Sequence, residues 1–468
     1  MSAPDPGSPG PRDRIAPPGP ATAPRRGLLA VVGPGVLVAA TGVGAGDLAT
    51  AGLAGAKLGV AVAWAVVVGA VLKYVLSENL ARWQLGTGET VLEGAITRLG
   101  RPVYVGFAVY LLPWSVFVGT ALVSACGVTL HALTGEALPG AATGKLVWGA
   151  ACSLLGAALV WRGGFRLFEG VMTACVGVMV AVTLLAAVLA GPDLGALLRG
   201  LLVPTIPGLR ESAGPGAAAA ETGPAVDLAP LQWTIALLGG VGGTLTIIAY
   251  SYWMRETGRT RAADLRTCRL DLASGYAMTA VFGVAMLVIA SGVTVDGRGA
   301  GFVVGLADAV GASFAGAFGD GAGAVGRAVF LVGAFAAVFS SLLGVWQVVP
   351  LIFADWWGQR HRVGVGHRVA PLVVDERSPA ARGFLVWLAL ASLPGLMVSF
   401  AAAQKWYGYV GALFIPALAI VLIILNGPRC GLPAPLRNGP WQRLALVLTT
   451  AFLLAIAGWD LAGRAGLR

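Results

Sequence analysis

The sequence carries little charge for its length. Asp, Glu, Lys and Arg make up 12% of its 468 residues, whereas 57% are hydrophobic. A soluble protein holds about 25% charged residues. Mean hydropathy is +0.80, and apolar runs of about 20 residues recur, each long enough to cross a bilayer as a helix. The shortage of charge excludes soluble and disordered classes for most of the chain. It predicts an all-α polytopic membrane protein that has the lipid bilayer as a partner.

Residues that carry out chemistry are also scarce. The chain has 3 His and 5 Cys, and it contains no nucleotide-binding loop, no HExxH pattern and no catalytic triad. The odd cysteine count and the lack of a CxxC spacing argue against disulfides and a zinc site. We therefore expect no enzyme activity and no cofactor. The net charge of +10 fits Arg-rich loops beside anionic lipid headgroups, so no nucleic-acid partner is expected. Nothing in the sequence points to a protein partner.

Eleven hydrophobic spans follow a proline-rich start. Residues 1–26 are predicted to form a disordered cytoplasmic tail. A ten-helix core is expected over residues 27–426, made of repeats at 27–190 and 231–426, with helix 11 appended at 441–463. Residues 191–230 and 295–325 are predicted as the two long connections. The predicted spans are 28–55, 59–82, 102–132, 145–161, 166–190, 231–255, 269–292, 326–356, 383–401, 407–426 and 441–463.

The distribution of basic residues predicts the orientation. With the N-terminus in the cytoplasm, most of the 32 Lys and Arg residues fall in cytoplasmic segments, as the positive-inside rule requires. An odd number of spans then leaves the C-terminus outside. We expect a multi-pass protein of a bacterial inner (plasma) membrane.

Glycines cluster in the middle of spans 1 and 6. Each costs up to about 1 kcal/mol in a helix relative to Ala, so several at one depth favour a break. Broken backbone at membrane depth is tolerated where it lines a cavity or is buried in protein. Matched breaks in two halves indicate a transporter substrate site between inverted repeats. Close helix packing through small residues is the alternative. The glycines are Gly42, Gly44 and Gly46 in span 1, and Gly239, Gly240, Gly242 and Gly243 in span 6.

Asp47 follows the first glycine cluster directly. An ionisable residue near mid-membrane is by default a functional candidate. Asp is also a favoured N-cap, and it would start the second half of span 1 after the break. The two interpretations are compatible. Elsewhere, Glu78 and Arg82 are spaced as an i,i+4 ion pair, and Asp271 is expected to interact with the helix dipole at the start of span 7. Gln347 in span 8 is predicted either to line a cavity or to bond between helices.

Four stretches resemble the Nramp (natural resistance-associated macrophage protein) family of divalent metal transporters. They are GPGVLVAATGVGAGDLAT in span 1, ARWQLGTGET after span 2, GGFRLFEGVMTACVGVM at the start of span 5 and GGTLTIIAYSYW in span 6. The resemblance covers about residues 27–463. It implies about 11 transmembrane helices in a leucine-transporter-type 5+5 inverted repeat with helices 1 and 6 broken. It also implies proton-linked import of divalent metals such as manganese or iron.

The sequence departs from both metal-site motifs of that family. Where DPGN is expected it has GAGD, residues 44–47, so the motif's aspartate falls on Gly44 and its asparagine on Asp47. Where MPH is expected it has Thr246, Ile247 and Ile248. The soft thioether ligand and the histidine are therefore missing. Oxygen ligands suit harder ions, which favours Mg²⁺ or Mn²⁺ over Fe²⁺.

These departures define the expected site. The expected metal ligands are Asp47 and Thr246, with backbone carbonyls at Gly44 and Gly243. The full set of substrate-binding candidates is Gly44, Ala45, Asp47, Gly243, Thr246 and Gln347.

Three functions remain open from the sequence. The first is a secondary transporter of a divalent cation of the Mn, Mg or Fe class, working by alternating access with protons as the candidate coupling ion. The second is a transporter of a small organic solute such as an amino acid, whose carboxylate would bind a half-helix N-terminus and whose amine would bind Asp47. The third is a sensor or membrane scaffold, which should lack a polar cavity between helices 1, 6 and 8.

Overall fold

The computed structural model describes residues 33–135, 138–207, 229–240, 242–293, 300–364, 372, 374–430 and 432–464. The predicted tail, residues 1–26, lies outside this part of the chain. Among the described residues all regular secondary structure is helical, and no β-strand is present, as the low charge and the long apolar runs predict.

Fifteen α-helices, α1 to α15, follow one another in the described residues. Short 3₁₀ or π turns join some of them. The helices are α1 Pro34–Gly42, α2 Leu48–Leu58, α3 Ala63–Thr87, α4 Val91–Leu99, α5 Arg101–Thr134, α6 Ala141–Leu189, α7 Leu194–Leu202, α8 Ala229–Gly240, α9 Ala249–Glu256, α10 Leu265–Ser291, α11 Ala300–Phe318, α12 Ala322–Gly358, α13 Pro379–Ala391, α14 Phe400–Leu425 and α15 Pro440–Arg464.

The predicted spans correspond to these helices. Span 1 is α1 with α2, span 6 is α8 with α9, and spans 4 and 5 together form α6. Helix α6 is bent at Gly164, whose φ of 59° and ψ of −175° interrupt the helical backbone between the two predicted spans. Among the described residues, 7 helices are long and apolar enough to cross a membrane. Shorter apolar helices at Phe302–Phe318, Leu413–Leu425 and Pro440–Ala455 accompany them.

The two predicted long connections are wrong in part, because each contains a helix. Helix α7 lies in the first connection, and the side chain of Asp193 caps it by accepting hydrogen bonds from Gly195 N at 2.8 Å and Ala196 N at 3.1 Å. Helix α11 lies in the second, where Phe302 and Leu306 are buried at 2% and 0% exposure. Packing of such apolar side chains stabilises a helix despite glycines that disfavour it.

Helix α12 packs against α1, α5, α6, α11 and α13. Its close contact with α1 depends on Gly344, since a Cβ there would lie 2.1 Å from Thr41 Oγ1. Small residues at helix interfaces let backbones approach closely in membranes. This packing holds the middle of α12 beside the end of α1, where the backbone of span 1 breaks.

Candidate functional site

The first break interrupts span 1. Helix α1 ends at Gly42, a π turn covers Val43–Asp47, and α2 begins at Leu48. Gly44 takes a φ of −53° and a ψ of −135°, which is not helical. The glycine cluster thus produces the predicted interruption, and the last turn of α1 leaves carbonyl groups without helical partners.

The second break interrupts span 6. Helix α8 ends at Gly240, and helical structure resumes with the 3₁₀ turn Leu245–Ile248. Between them Gly242 and Gly243 take φ values of 82° and 87°. Residues that carry a side chain rarely adopt this left-handed backbone conformation, whereas glycine enters it without steric cost. These two glycines therefore permit the break.

The two breaks face each other. A Cβ on Gly42 would lie 2.5 Å from the carbonyl carbon of Gly242 and 2.6 Å from Gly243 N, which is closer than any side chain permits. The backbones of spans 1 and 6 thus touch at their interruptions. The prediction that spans 1 and 6 are interrupted at their glycine clusters is confirmed.

A small cavity lies beside this contact, between the first break, α5, α12 and α14. Its volume is about 10 Å³, which is near the lower limit for one water molecule. Four hydroxyl-bearing residues contribute to its walls, together with glycines of span 1 and apolar residues. The lining residues are Thr41, Gly42, Gly44, Gly46, Val118, Ala121, Leu122, Thr246, Ser341, Val345 and Tyr407.

Ser341 connects α12 to the first break. Its Oγ donates to the carbonyl of Ala40 at 3.1 Å, and a Cβ on Gly44 would lie 2.0 Å from the same Oγ. Thr246 of span 6 also lines the cavity, and its Oγ1 lies 2.5 Å from the Cβ position of Gly243. Two hydroxyls from two distant spans therefore converge on the broken backbone. Such oxygen donors suit hard cations and polar solutes.

Four of the six predicted binding residues lie in the first break or in the cavity wall. Gly44 and Thr246 line the cavity. Ala45 and Asp47 belong to the same π turn as Gly44. Their participation in binding stays a prediction.

Gln347 lies apart from the cavity wall. Its Oε1 accepts a hydrogen bond of 2.6 Å from Trp253 Nε1, and its Nε2 donates to Glu376 Oε1 at 2.8 Å. Both ends of the amide are thus engaged in contacts between elements. Gln347 thus forms a hydrogen bond between helices, which is the second of the two roles that the sequence suggests. It lies nearly two turns beyond Ser341 on α12.

Gly243 has a partner that the sequence did not suggest. Its carbonyl accepts a hydrogen bond of 2.9 Å from Nζ of Lys73 on α3. The side chain of Lys73 is completely buried. A lysine inside an apolar span is itself a signal of function, and it was the clue available in the sequence. The carbonyl proposed for a metal ion is therefore already bonded to an ammonium group.

Among the residues that the structure describes, no group of three or more His, Cys, Asp or Glu side chains lies close enough together to hold a metal ion. The described side chains and backbone at the breaks offer hydroxyl and carbonyl oxygens, which suit hard cations.

Comparison with protein families decides the relationship. The family model for "Natural resistance-associated macrophage protein-like" proteins matches residues 35–462, which is most of the chain. The chain belongs to the Nramp family. The resemblance found in the four sequence stretches is confirmed, and the chain joins a family of transporters and not of enzymes.

Individual relatives of this Nramp chain are distant. A divalent metal cation transporter, MntH, of Chromohalobacter salexigens is 29% identical over 187 residues. That match covers 39% of this chain and 42% of the relative, so it spans less than half of the relative's length.

Solved structures show the shared fold. The manganese transporter of Eremococcus coleocola gives a TM-score of 0.64 at 17% identity, covering 94% of this chain and 88% of that one. MhsT, solved in complex with L-phenylalanine, gives a TM-score of 0.56 at 17% identity, covering 90% of this chain and 97% of that one. The Nramp chain therefore has the predicted leucine-transporter-type fold with broken helices 1 and 6.

At one end of the bundle, where α1 begins, three clusters of charged residues join the helices of this Nramp chain. We call this end the α1 face. In the first cluster, Asp271 of α10 accepts hydrogen bonds from Gly35 N at 2.8 Å and from Tyr250 OH at 3.2 Å, and it pairs with Arg259. The expectation that Asp271 serves the start of its own helix is wrong, because α10 already begins at Leu265. Asp271 caps α1 instead.

The second cluster includes the predicted pair of Glu78 and Arg82. Their closest approach is 2.7 Å, so the pair is confirmed. Arg269 of α10 adds a second bond to Glu78 at 2.8 Å. Glu78 thereby joins α3 to α10, and the pair is more than the local i,i+4 contact that its spacing indicates.

The third cluster surrounds Asp355 near the end of α12. Its Oδ2 accepts hydrogen bonds of 2.7 Å from Thr90 Oγ1 and of 2.7 Å from Tyr252 OH. Gln359 Nε2 donates to Oδ1 at 3.0 Å. One buried carboxylate therefore ties α12 to α9 and to the start of α4.

Glu93 of α4 lies next to this third cluster. Its side chain is about 1% exposed, and Arg362 NH1 lies 3.3 Å from Oε1. The backbone N–H of Leu372 donates to the same oxygen at 3.1 Å. Burial, followed by the charge of Asp355, raises the pKa of Glu93 to about 7. Glu93 is therefore a carboxyl group that changes charge near neutral pH.

Proposed function

We propose that this protein is a secondary transporter that moves a divalent metal cation of the Mn, Mg or Fe class across the membrane by alternating access. The observation that carries the proposal is the hydroxyl-lined cavity at the point where the broken backbones of spans 1 and 6 meet. Discontinuous helices at mid-membrane are where secondary transporters bind their cargo. The metal is cargo here and no resident cofactor is invoked.

The chemistry of the cavity supports a hard cation. Its polar side chains are Thr41, Thr246, Ser341 and Tyr407, all oxygen donors, and Asp47 is proposed to supply the negative charge. Soft metals prefer thioether or thiolate ligands, which are absent from the described residues that line the cavity, and Mg²⁺ and Mn²⁺ prefer oxygen. The cargo is therefore proposed to be Mg²⁺ or Mn²⁺ before Fe²⁺, with protons as the coupling ion.

The same cavity argues against a sensor or scaffold without cargo, since that class has no need of polar walls between helices 1, 6 and 8. The second candidate remains a transporter of a small organic solute. One observation favours it: the Gly243 carbonyl, expected to bind a metal, is bonded to Lys73. The small volume of the cavity, about 10 Å³, favours a single ion, because small-molecule sites usually hold roughly 300–1,000 Å³.

Uptake into proteoliposomes tests the proposal. Purified protein is reconstituted and supplied with Mg²⁺, Mn²⁺ or Fe²⁺, with protein-free liposomes as the control. Saturable uptake of Mg²⁺ or Mn²⁺ that excess amino acids leave unchanged is expected, together with acidification of the lumen if protons accompany the metal. Amino-acid uptake that divalent cations leave unchanged would contradict the proposal and favour the second candidate.

The orientation is proposed from the charge distribution. The N-terminus is placed in the cytoplasm and the C-terminus outside, in a bacterial inner (plasma) membrane, so that the α1 face with its many arginines lies inside. Arg266 is exposed on this face. In a variant that lacks the native cysteines, Arg266→Cys should resist a membrane-impermeant thiol reagent in intact cells. Labelling in intact cells would reverse the proposed orientation.

A further inference from the structure

A lysine lies deep inside the bundle next to the second break. Lys73 belongs to α3, within the candidate membrane span Thr50–Thr87, and its side chain is 0% exposed. A charged group at membrane depth costs several kcal/mol unless polar groups compensate it. A lysine in this place therefore needs strong acceptors around its ammonium group.

Two backbone carbonyls supply that compensation. Nζ of Lys73 donates to Gly239 O at 2.9 Å and to Gly243 O at 2.9 Å. Gly239 lies in the last turn of α8, where carbonyls lack helical partners and the helix dipole is negative. Gly243 lies within the break. The ammonium thus bridges the end of α8 and the irregular backbone that follows it.

Two glycines allow the Lys73 side chain to reach the second break. A Cβ on Gly69 would lie 3.0 Å from Leu238 O, so α3 and α8 pack with their backbones close together one turn before Lys73. A Cβ on Gly242 would lie 3.4 Å from Lys73 Cγ, so the side chain passes directly over the break. The arrangement is built into the backbone and is not a chance rotamer at a surface.

We propose that the end of α8 is a cation site that this protein fills with its own lysine. Carbonyl oxygens at a helix break are the ligands that a bound alkali cation takes in place of water. The Lys73 ammonium occupies them here as a tethered cation. It holds the second break in shape, and it leaves no place at this break for a free monovalent cation. A transported metal ion would bind on the other side, in the hydroxyl-lined cavity.

The inference is tested through stability, so its outcome does not depend on whether a metal is transported. Lys73→Ala removes the ammonium and three methylene groups while leaving both carbonyls in place. Lys145→Ala is the matched control, because Lys145 also lies in a candidate span and donates to a backbone carbonyl, Val398 O, at 2.8 Å, but from an exposed position. Melting temperatures are measured in detergent with choline, Na⁺, K⁺ or ethylammonium chloride at equal ionic strength.

In choline, Lys73→Ala is expected to melt roughly 5 °C or more below the wild type. Its melting temperature should rise to a plateau with Na⁺, K⁺ or ethylammonium, while wild type and Lys145→Ala respond to these salts as they do to choline. If Lys73→Ala does not survive purification in choline, recovery of folded protein in ethylammonium gives the same support, and no recovery in any of the salts overturns the proposal.

Two further results would also overturn it. The first is a Lys73→Ala variant that melts like the wild type, or that no cation stabilises beyond choline. The second does not use Lys73→Ala: saturable binding of radioactive Na⁺ to the wild-type protein, at a site that is lost in Gly243→Ala, would mean that the carbonyls remain open to free ions.

Discussion

Asp271 of α10 accepts a hydrogen bond of 2.8 Å from the backbone N–H of Gly35, in the first turn of α1, across 236 positions of sequence. The contact gives a partner to one of the donors that every helix start leaves unpaired. Tyr250 of α9 bonds the same carboxylate at 3.2 Å. One side chain therefore joins the beginning of the first broken helix to the second half of the other, and the α1 face cannot separate there without breaking these bonds.

Replacing Asp271 by Ala should loosen the start of α1. Loss of a helix cap costs about 1 kcal/mol, and the loss also leaves Arg259 without its ion-pair partner. We expect a lower melting temperature and faster hydrogen exchange in residues 33–42, measured by mass spectrometry. Asp264→Ala is the control, because Asp264 accepts from Arg261 N at 2.9 Å within its own turn and not from α1. Equal exchange in the two variants would contradict the capping role.

Glu93 should make the stability depend on pH. Its pKa is raised from 4.5 to about 7 in the folded protein, mainly by burial. Between these two values the folded protein binds more protons than the unfolded chain, so the free energy of unfolding falls as the pH rises through this window. Glu93→Gln keeps the side chain neutral. The variant should melt above the wild type at pH 8 and close to it at pH 5.

A matched measurement separates this effect from general surface charge. Asp308 forms an ion pair of 2.8 Å with Arg327, and both side chains are well exposed. Exposed pairs contribute little to stability, so Asp308→Asn should leave the pH dependence of melting unchanged. A Glu93→Gln variant whose melting temperature changes with pH in parallel with the wild type would contradict the assignment to Glu93.

The breaks of spans 1 and 6 could be predicted because their cause is local. Gly242 and Gly243 adopt left-handed φ values that depend on the residue type, and a cluster of glycines is visible in the sequence. Helix α11 could not be predicted in the same way. Its alanines favour a helix and its glycines oppose one, and buried contacts of residues such as Phe302 decide in favour of the helix.

The cavity wall was harder to predict than the breaks. Ser341 and Thr246 come from different spans. Whether their hydroxyl groups face the same cavity depends on how each helix is rotated about its axis. Gln347 illustrates the difficulty, because it shares α12 with Ser341 but bonds Trp253 at 2.6 Å. Lys73 carried a usable signal, a charge inside an apolar span. Its hydrogen-bond partners at the second break depend on how α3 packs against α8, which the sequence does not show.

Ser341 should contribute to cargo binding, and Ser340 should not. Ser341 Oγ reaches Ala40 O beside the first break at 3.1 Å, whereas Ser340 Oγ bonds Ala337 O of its own helix at 2.9 Å. The two serines are equally buried, at 1% and 0% exposure, so each controls for the other. We expect Ser341→Ala to raise KM for the transported cation several-fold, and Ser340→Ala to leave it unchanged. Equal KM values for both variants in proteoliposomes would remove Ser341 from the site.

Asp47 allows the sharpest test of the proposed cation site. It ends the π turn Val43–Asp47, directly before α2, so it occupies the position of a helix cap, and it is also the proposed ligand. Asn caps a helix about as well as Asp, but it lacks the negative charge that a desolvated divalent cation needs. Asp47→Asn should therefore retain the wild-type melting temperature while its uptake of Mg²⁺ or Mn²⁺ falls severely, and Asp47→Ala should abolish uptake.

The competing outcome is equally definite. If Asp47 only caps α2, Asp47→Asn will transport like the wild type, and the proposed metal ligands lose their one carboxylate. An amine-bearing solute would also need the charge, so a loss of uptake by itself does not identify the cargo. Competition identifies it: if Asp47→Asn loses uptake, and excess Mg²⁺ or Mn²⁺ but not amino acids competitively inhibits wild-type uptake, the cargo that needs the Asp47 carboxylate is a divalent cation, because a competitive inhibitor occupies the site of the cargo.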